Sequence, residues 1–139
     1  MNYILDTNVI SELVAARPNP KVVEWIQTID PEHAFLSVIA IGEIKKGIEK
    51  LPEADRKATL ERWLQEDLLE QFENQILNID CQTMLVWGKL VAQLETNGRP
   101  ISAIDSLLAA TALQWSYTLV TRNLSHFQWT GIALLNPWE

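Results

Sequence analysis

Five short apolar runs, each closing at a polar residue, constrain this chain more than any other feature. They are Tyr3-Ile4-Leu5 before Asp6, Ala34-Phe35-Leu36 before Ser37, Ile76-Leu77-Asn78-Ile79 before Asp80, Thr118-Leu119-Val120 before Thr121, and Ile132-Ala133-Leu134-Leu135 before Asn136. Each has strand length and none alternates apolar with polar, which predicts strands covered on both faces. Stretches of helical periodicity lie between them. Asn19-Pro20 reads as an N-cap with proline at the first helical position, ahead of Val22, Val23 and Ile26. Ser37 can cap a helix carrying Ile41, Ile44 and Ile48. Pro52 is expected to open a long charged helix with Leu60, Leu64 and Leu68 at four-residue spacing. Met84, Trp87, Val91 and Leu94 mark a further helix that stops near Asn97-Gly98. Ser102 through Asp105 resembles a capping box and opens a helix through Leu107 to Trp115. Strand–helix alternation predicts an α/β fold with a mostly parallel sheet.

The chain of 139 residues fits one domain, residues 1–139, large enough for a core without disulfide or metal staples. Its hydrophobic fraction of 47% and charged fraction of 21% exclude a disordered or collagenous chain. No apolar stretch approaches the ~18 residues of a membrane span. The N-terminus meets Asp6 without a basic region, which argues against a secretory signal. Cys81 is the only cysteine, so no internal disulfide forms. A reducing, cytoplasmic setting is expected. Cys81 itself reads as a buried small residue, and His33 and His126 as ordinary surface or loop residues. The net charge is −7, which by itself argues against a broad basic grip on nucleic acid. Residues 49–73, however, hold eight acids against four bases, as a solvated helix would. The acids outside that segment can be few and specifically placed.

Ligands of open α/β sheets bind beyond the carboxyl ends of the strands. Asp6 directly follows the first strand, and Asp105 sits in the first turn of a later helix. Glu43 stands on the Ser37 helix between Ala40 and Gly47, whose small side chains leave room around it. Bland readings exist for each: a helix cap for Asp6, a capping-box acid for Asp105, a solvated helical acid for Glu43. An all-oxygen cluster would suit Mg²⁺ or Mn²⁺ and not zinc. There is no phosphate-cradling glycine loop and no Ser/His/Asp signature. A dehalogenase-like phosphatase would need a second aspartate two residues after Asp6, and Asn8 stands there.

Taken jointly, the run Leu5 to Glu12, Ser37 with Glu43 and Gly47, the run Ile101 to Ala112, Val120-Thr121-Arg122-Asn123 through Phe127, and Asn136-Pro137-Trp138 resemble the PIN-domain ribonucleases. The resemblance is to VapC-type toxins of toxin–antitoxin systems, in the FitB-like branch. It implies a three-layer α/β/α sandwich with a parallel sheet of about five strands. It implies RNA cleavage with a divalent metal, Mg²⁺ or Mn²⁺, held by Asp6, Glu43 and Asp105, and leaving a 5′-phosphate. Asn8 or Ser11 would orient Asp6, and Thr121 would lie beside the metal. A homodimer and a cognate basic antitoxin are implied too, and a net −7 suits the latter electrostatically. The family usually has a fourth acid at the position of Asn123. That departure keeps open an alternative, a PIN scaffold that binds its antitoxin but cleaves poorly.

Overall fold

Residues 1–139 are described by a computed structural model. β1 (Tyr3–Leu5), β2 (Ala34–Ser37), β3 (Ile76–Leu77), β4 (Thr118–Val120) and β5 (Leu134–Leu135) form one sheet in the order β3-β2-β1-β4-β5. Every neighbouring pair is parallel. The chain moves outward from β1 through β2 to β3, then returns to the other side of β1 for β4 and β5. The direction therefore reverses between β1 and β4, at the point where α/β sheets open a crevice.

Alternate residues of the inner strands feed opposite layers. Leu5, Leu36 and Val120 join one buried cluster with Val9, Ile10, Val22, Ile44 and Phe72. Ile4 and Leu119 join a second cluster with Leu90, Leu94, Leu108, Ala109 and Phe127. Helices thus cover both faces, as the three-layer expectation has it, and the unbroken apolar runs follow from that cover. Ile4, Leu5, Leu119 and Val120 are essentially inaccessible to solvent. Each such side chain contributes about 1.5–3 kcal/mol on burial, so β1 and β4 are firmly held below their carboxyl ends. The edge strands are shorter than predicted. β3 stops at Leu77 because exposed Asn78 leaves the sheet, and β5 begins only at Leu134, after a turn at Gly131 with φ +80°.

The helices are α1 (Thr7–Leu13), α2 (Pro20–Thr28), α3 (Val38–Glu49), α4 (Asp55–Arg62), α5 (Leu69–Gln71), α6 (Cys81–Thr96), α7 (Ala103–Trp115) and α8 (Leu124–Phe127). The caps at Asn19 and Ser37 form as predicted: Asn19 Oδ1 accepts from the Lys21 amide at 2.9 Å and Ser37 Oγ from the Ile39 amide at 3.1 Å. The charged helix starts at Asp55 rather than Pro52, and a π-helical stretch, Trp63–Leu68, joins α4 to α5. Its wider turn carries Leu64 and Leu68 into the core. The segment is solvated on one side only.

Two local readings are corrected. Cys81 is exposed, because it occupies the first position of α6, where side chains face outward. The full capping box lies at Asp80 and Thr83, where side chain and backbone bond reciprocally. At α7 only half of a box exists: Ser102 Oγ accepts from the Asp105 amide at 3.3 Å, while the Asp105 carboxylate turns to His126. No helix is long and apolar enough to cross a membrane.

Candidate active site

The register of β1 and β4 pairs Leu5 with Val120, and the Asp6 amide donates to the Val120 carbonyl at 2.9 Å. Asp6 and Thr121 therefore emerge side by side. Asp6 is the N-cap of α1, and its Oδ1 accepts from the Thr7 amide at 2.7 Å. Its Oδ2 accepts from the Thr121 hydroxyl at 2.8 Å. The cap reading and the site reading hold together, since a carboxylate has lone pairs beyond those two bonds. Asn8 Nδ2 lies 3.5 Å from Asp6 Oδ2 and 3.3 Å from Thr121 Oγ1, while Asn8 Oδ1 accepts from the Arg122 amide at 3.3 Å. Ser11 lines the same cleft but is not bonded to Asp6, being one helical turn further on.

Glu43 reaches this point from α3. The Thr7 hydroxyl donates to Glu43 Oε1 at 2.6 Å. Asp105 comes from the first turn of α7, with His126 Nδ1 at 3.2 Å from its Oδ2. Asp6, Glu43, Asp105 and Asn123 line one cleft of about 470 Å³, together with Thr7, Arg122 and Trp138. The three acids line it without closing into a ready-made coordination sphere. Burial pushes the Asp6 carboxyl above its ordinary value; the Thr121 and Thr7 bonds pull back, and the fields of Glu43 and Asp105 push further up. No lysine or arginine is ion-paired with any of the three.

Thr121 sits fully buried, where its hydroxyl serves Asp6 and accepts from the Asn123 amide at 3.1 Å. Asn123 is exposed, and its side chain makes no cap to α8. Sequence reasoning missed four contributors. Thr7 binds Glu43 across 36 positions, and its only signal is a hydroxyl directly after Asp6. His126, read as ordinary surface, faces Asp105. Glu12 accepts from Trp138 Nε1 at 3.2 Å, which pins the C-terminal segment against the cleft. The Arg122 guanidinium lies 5.2 Å from the Trp138 ring.

Fold and cleft together define an α/β protein with a carboxylate cluster at the switch point of a parallel sheet. Residues 3–128 match the PIN domain model, and the chain belongs to that family. It is 35% identical over 136 residues to toxin FitB of Neisseria gonorrhoeae, with 98% of each chain covered. It is 34% identical over 136 residues to VapC ribonuclease Y4jK of Sinorhizobium fredii, covering 98% of this chain and 97% of that one. The crystal structure of FitAcB from Neisseria gonorrhoeae is similar with a TM-score of 0.94 at 34% identity, covering 99% of each chain.

Proposed function

We propose that this chain is a metal-dependent endoribonuclease toxin, restrained by a basic antitoxin and working as a homodimer in the cytoplasm. The observation that carries the reading is the meeting of Asp6, Glu43 and Asp105 around one cleft with no lysine or arginine ion-paired to any of them. The fields of Glu43 and Asp105 raise the cost of ionising Asp6, and three carboxylates with oxygen donors only fit a hard divalent ion, Mg²⁺ or Mn²⁺. Asp6, Glu43 and Asp105 would hold it, in part through waters. When bound, such an ion acts as a Lewis acid toward a phosphodiester and lowers the pKa of water.

The chain's own residues do the rest. Thr121 and the Thr7 amide fix both oxygens of Asp6, so the carboxylate enters the cleft in one orientation. Thr7 engages Glu43 Oε1, which leaves Oε2 to accept the proton of an attacking water. Asn8 ties the loop after β4 to the end of β1 and so keeps Arg122 at the cleft. A toxin requires a neutralising partner in the same cell, and a net −7 favours a basic one. Exposed Met84, Leu85, Ile104 and Trp115 on α6 and α7 supply apolar surface for a second copy.

Asn123 favours a second reading, a scaffold that binds antitoxin and cleaves weakly, because a neutral side chain adds no charge to the site. Mapping new RNA ends after incubation of total RNA with the purified chain and Mg²⁺ decides between them. Discrete new ends carrying a 5′-phosphate are expected of the nuclease. Intact RNA with a chain that still binds its antitoxin would establish the scaffold.

A further inference from the structure

Asp105 lines a second groove, of about 490 Å³, in which Asp6 has no part. Arg99, Ser102, Ser125, His126 and Trp129 line it too. The Arg99 guanidinium lies 3.5 Å from the centroid of the Trp129 ring, and Trp129 as a residue is 55% exposed. From Leu90 to Glu139 the chain has only two basic residues, Arg99 and Arg122, and each lies on a tryptophan. They are also the only lysine or arginine side chains lining either cavity. Two of the chain's eleven lysine and arginine side chains, each on a tryptophan, thus line the two cavities that share Asp105.

The Arg99–Trp129 pair stands on fixed backbone. The Arg99 amide donates to the Leu94 carbonyl at 2.8 Å and the Gly98 amide to the Glu95 carbonyl at 3.0 Å. This pattern closes a helix with a left-handed residue, and Gly98 has φ +66°. In sequence Trp129 lies between two buried residues, Phe127 and Thr130, and the Thr130 hydroxyl donates to the Phe127 carbonyl at 2.6 Å, which fixes the backbone around it. An exposed tryptophan and an unpaired arginine held in this way form a stacking platform with a phosphate contact, the recognition chemistry of single-stranded nucleic acid.

Resting on the nuclease reading, we infer that this groove is a subsite for single-stranded RNA flanking the scissile phosphate. Trp129 stacks a base and Arg99 binds a phosphate. The test is anisotropy with a labelled single-stranded RNA of about twelve nucleotides, within the reach of such sites, on the Asp6→Asn full-length chain. Adding Trp129→Ala is expected to weaken binding roughly five- to a hundredfold, and Trp129→Phe to restore most of it. Adding Arg99→Ala is expected to flatten the log–log salt dependence by about 0.7, and Arg99→Lys to keep it. The matching duplex RNA is expected to bind less tightly than the single strand.

Cleavage by the chain carrying the native Asp6 is followed in parallel. If it cleaves RNA while Trp129→Ala and Arg99→Ala leave both affinity and kcat/KM unchanged, the subsite is overturned and the nuclease reading stands. If it does not cleave RNA, both fall. Sedimentation of Trp129→Ala addresses a partner-protein role: conversion to monomer would assign Trp129 to an interface between copies and overturn the inference. Arg99 is exposed, so Arg99→Ala tests the groove even if Trp129→Ala fails to fold.

Discussion

The Thr121 hydroxyl, at the end of β4, donates at 2.8 Å to Oδ2 of Asp6, at the end of β1, across 115 positions of sequence. The bond crosses the switch point of the sheet and is buried. It joins the strand pair with the best-covered side chains to a carboxylate that lines the cleft. Thr121→Val keeps the shape and removes the donor. It is expected to cost about 1–3 kcal/mol, as for a buried acceptor left unsatisfied. Divalent-ion affinity is expected to fall about ten- to a hundredfold, as when a supporting partner of a ligand is lost. Urea unfolding and Mn²⁺ calorimetry measure the two, and Thr121→Ser should restore both.

Asp6 links stability to pH. Its carboxyl is raised in the folded state, chiefly by burial. A raised carboxyl favours the folded protein while it is protonated. That contribution is fully present below the unfolded value and is lost as pH rises through the folded one. In metal-free buffer, Asp6→Asn is therefore expected to be as stable as the unsubstituted chain or more so at pH 7. The difference should narrow as pH falls toward the ordinary aspartate value of 3.8. The introduced amide can accept from Thr7 and donate to Thr121, whose hydroxyl rotates. Thermal melts across this range check the trend; a substituted chain less stable at pH 7 than at pH 4, relative to the original, would contradict it.

Asn123 lines the cleft without adding charge to it. Its side chain is exposed and does not cap α8, so an added carboxylate is free to act on an ion. Three acids leave the site at −1 after one divalent ion, whereas a fourth acid would balance two. Asn123→Asp is expected to tighten Mn²⁺ binding and to raise cleavage at low Mg²⁺. Mn²⁺ titrations of both chains at equal pH, with the same affinity and stoichiometry in each, would remove Asn123 from the account.

The parts of the fold that were legible are those set by burial. β1 and β4 lie under helices on both faces, and their apolar runs match their observed lengths. β3 and β5 do not, because an edge strand ends where its single neighbour ends. The π-helical stretch at Trp63–Leu68 has no periodic signature, since it differs from an α-helix by one residue in a short segment. The box at Asp80 was missed because Thr83, rather than a glutamate or glutamine, closes it. In the site, Asp6, Glu43 and Asp105 were readable through motifs that each carry locally. Thr7 to Glu43 and His126 to Asp105 depend on tertiary approach, which no local pattern encodes. Asn8 or Ser11 was expected to orient Asp6; Asn8 Nδ2 reaches Asp6 Oδ2 only at 3.5 Å and Ser11 not at all, while Thr121 and the Thr7 amide bond the carboxylate at 2.8 and 2.7 Å.

Ser37 links the sheet to the helix that carries Glu43. It is fully buried and caps α3 through the Ile39 amide. Ser37→Ala is expected to cost about 1 kcal/mol, the usual value of such a cap, with Mn²⁺ affinity unchanged because the rest of α3 is held by Ile44 and Ile48. Denaturant unfolding and calorimetry on the same sample separate the two effects.

The most direct measurement of the central claim is cleavage of one RNA by the original chain and by Asp6→Asn, each with Mg²⁺ and with chelator. The original chain with Mg²⁺ is expected to cleave. Chelation, or Asp6→Asn in a chain shown by its melt to be folded, should lower the rate by more than about a hundredfold, beyond the loss typical of a supporting residue. Equal cleavage by folded Asp6→Asn, or cleavage indifferent to the chelator, would contradict a metal-dependent nuclease built on this carboxylate cleft.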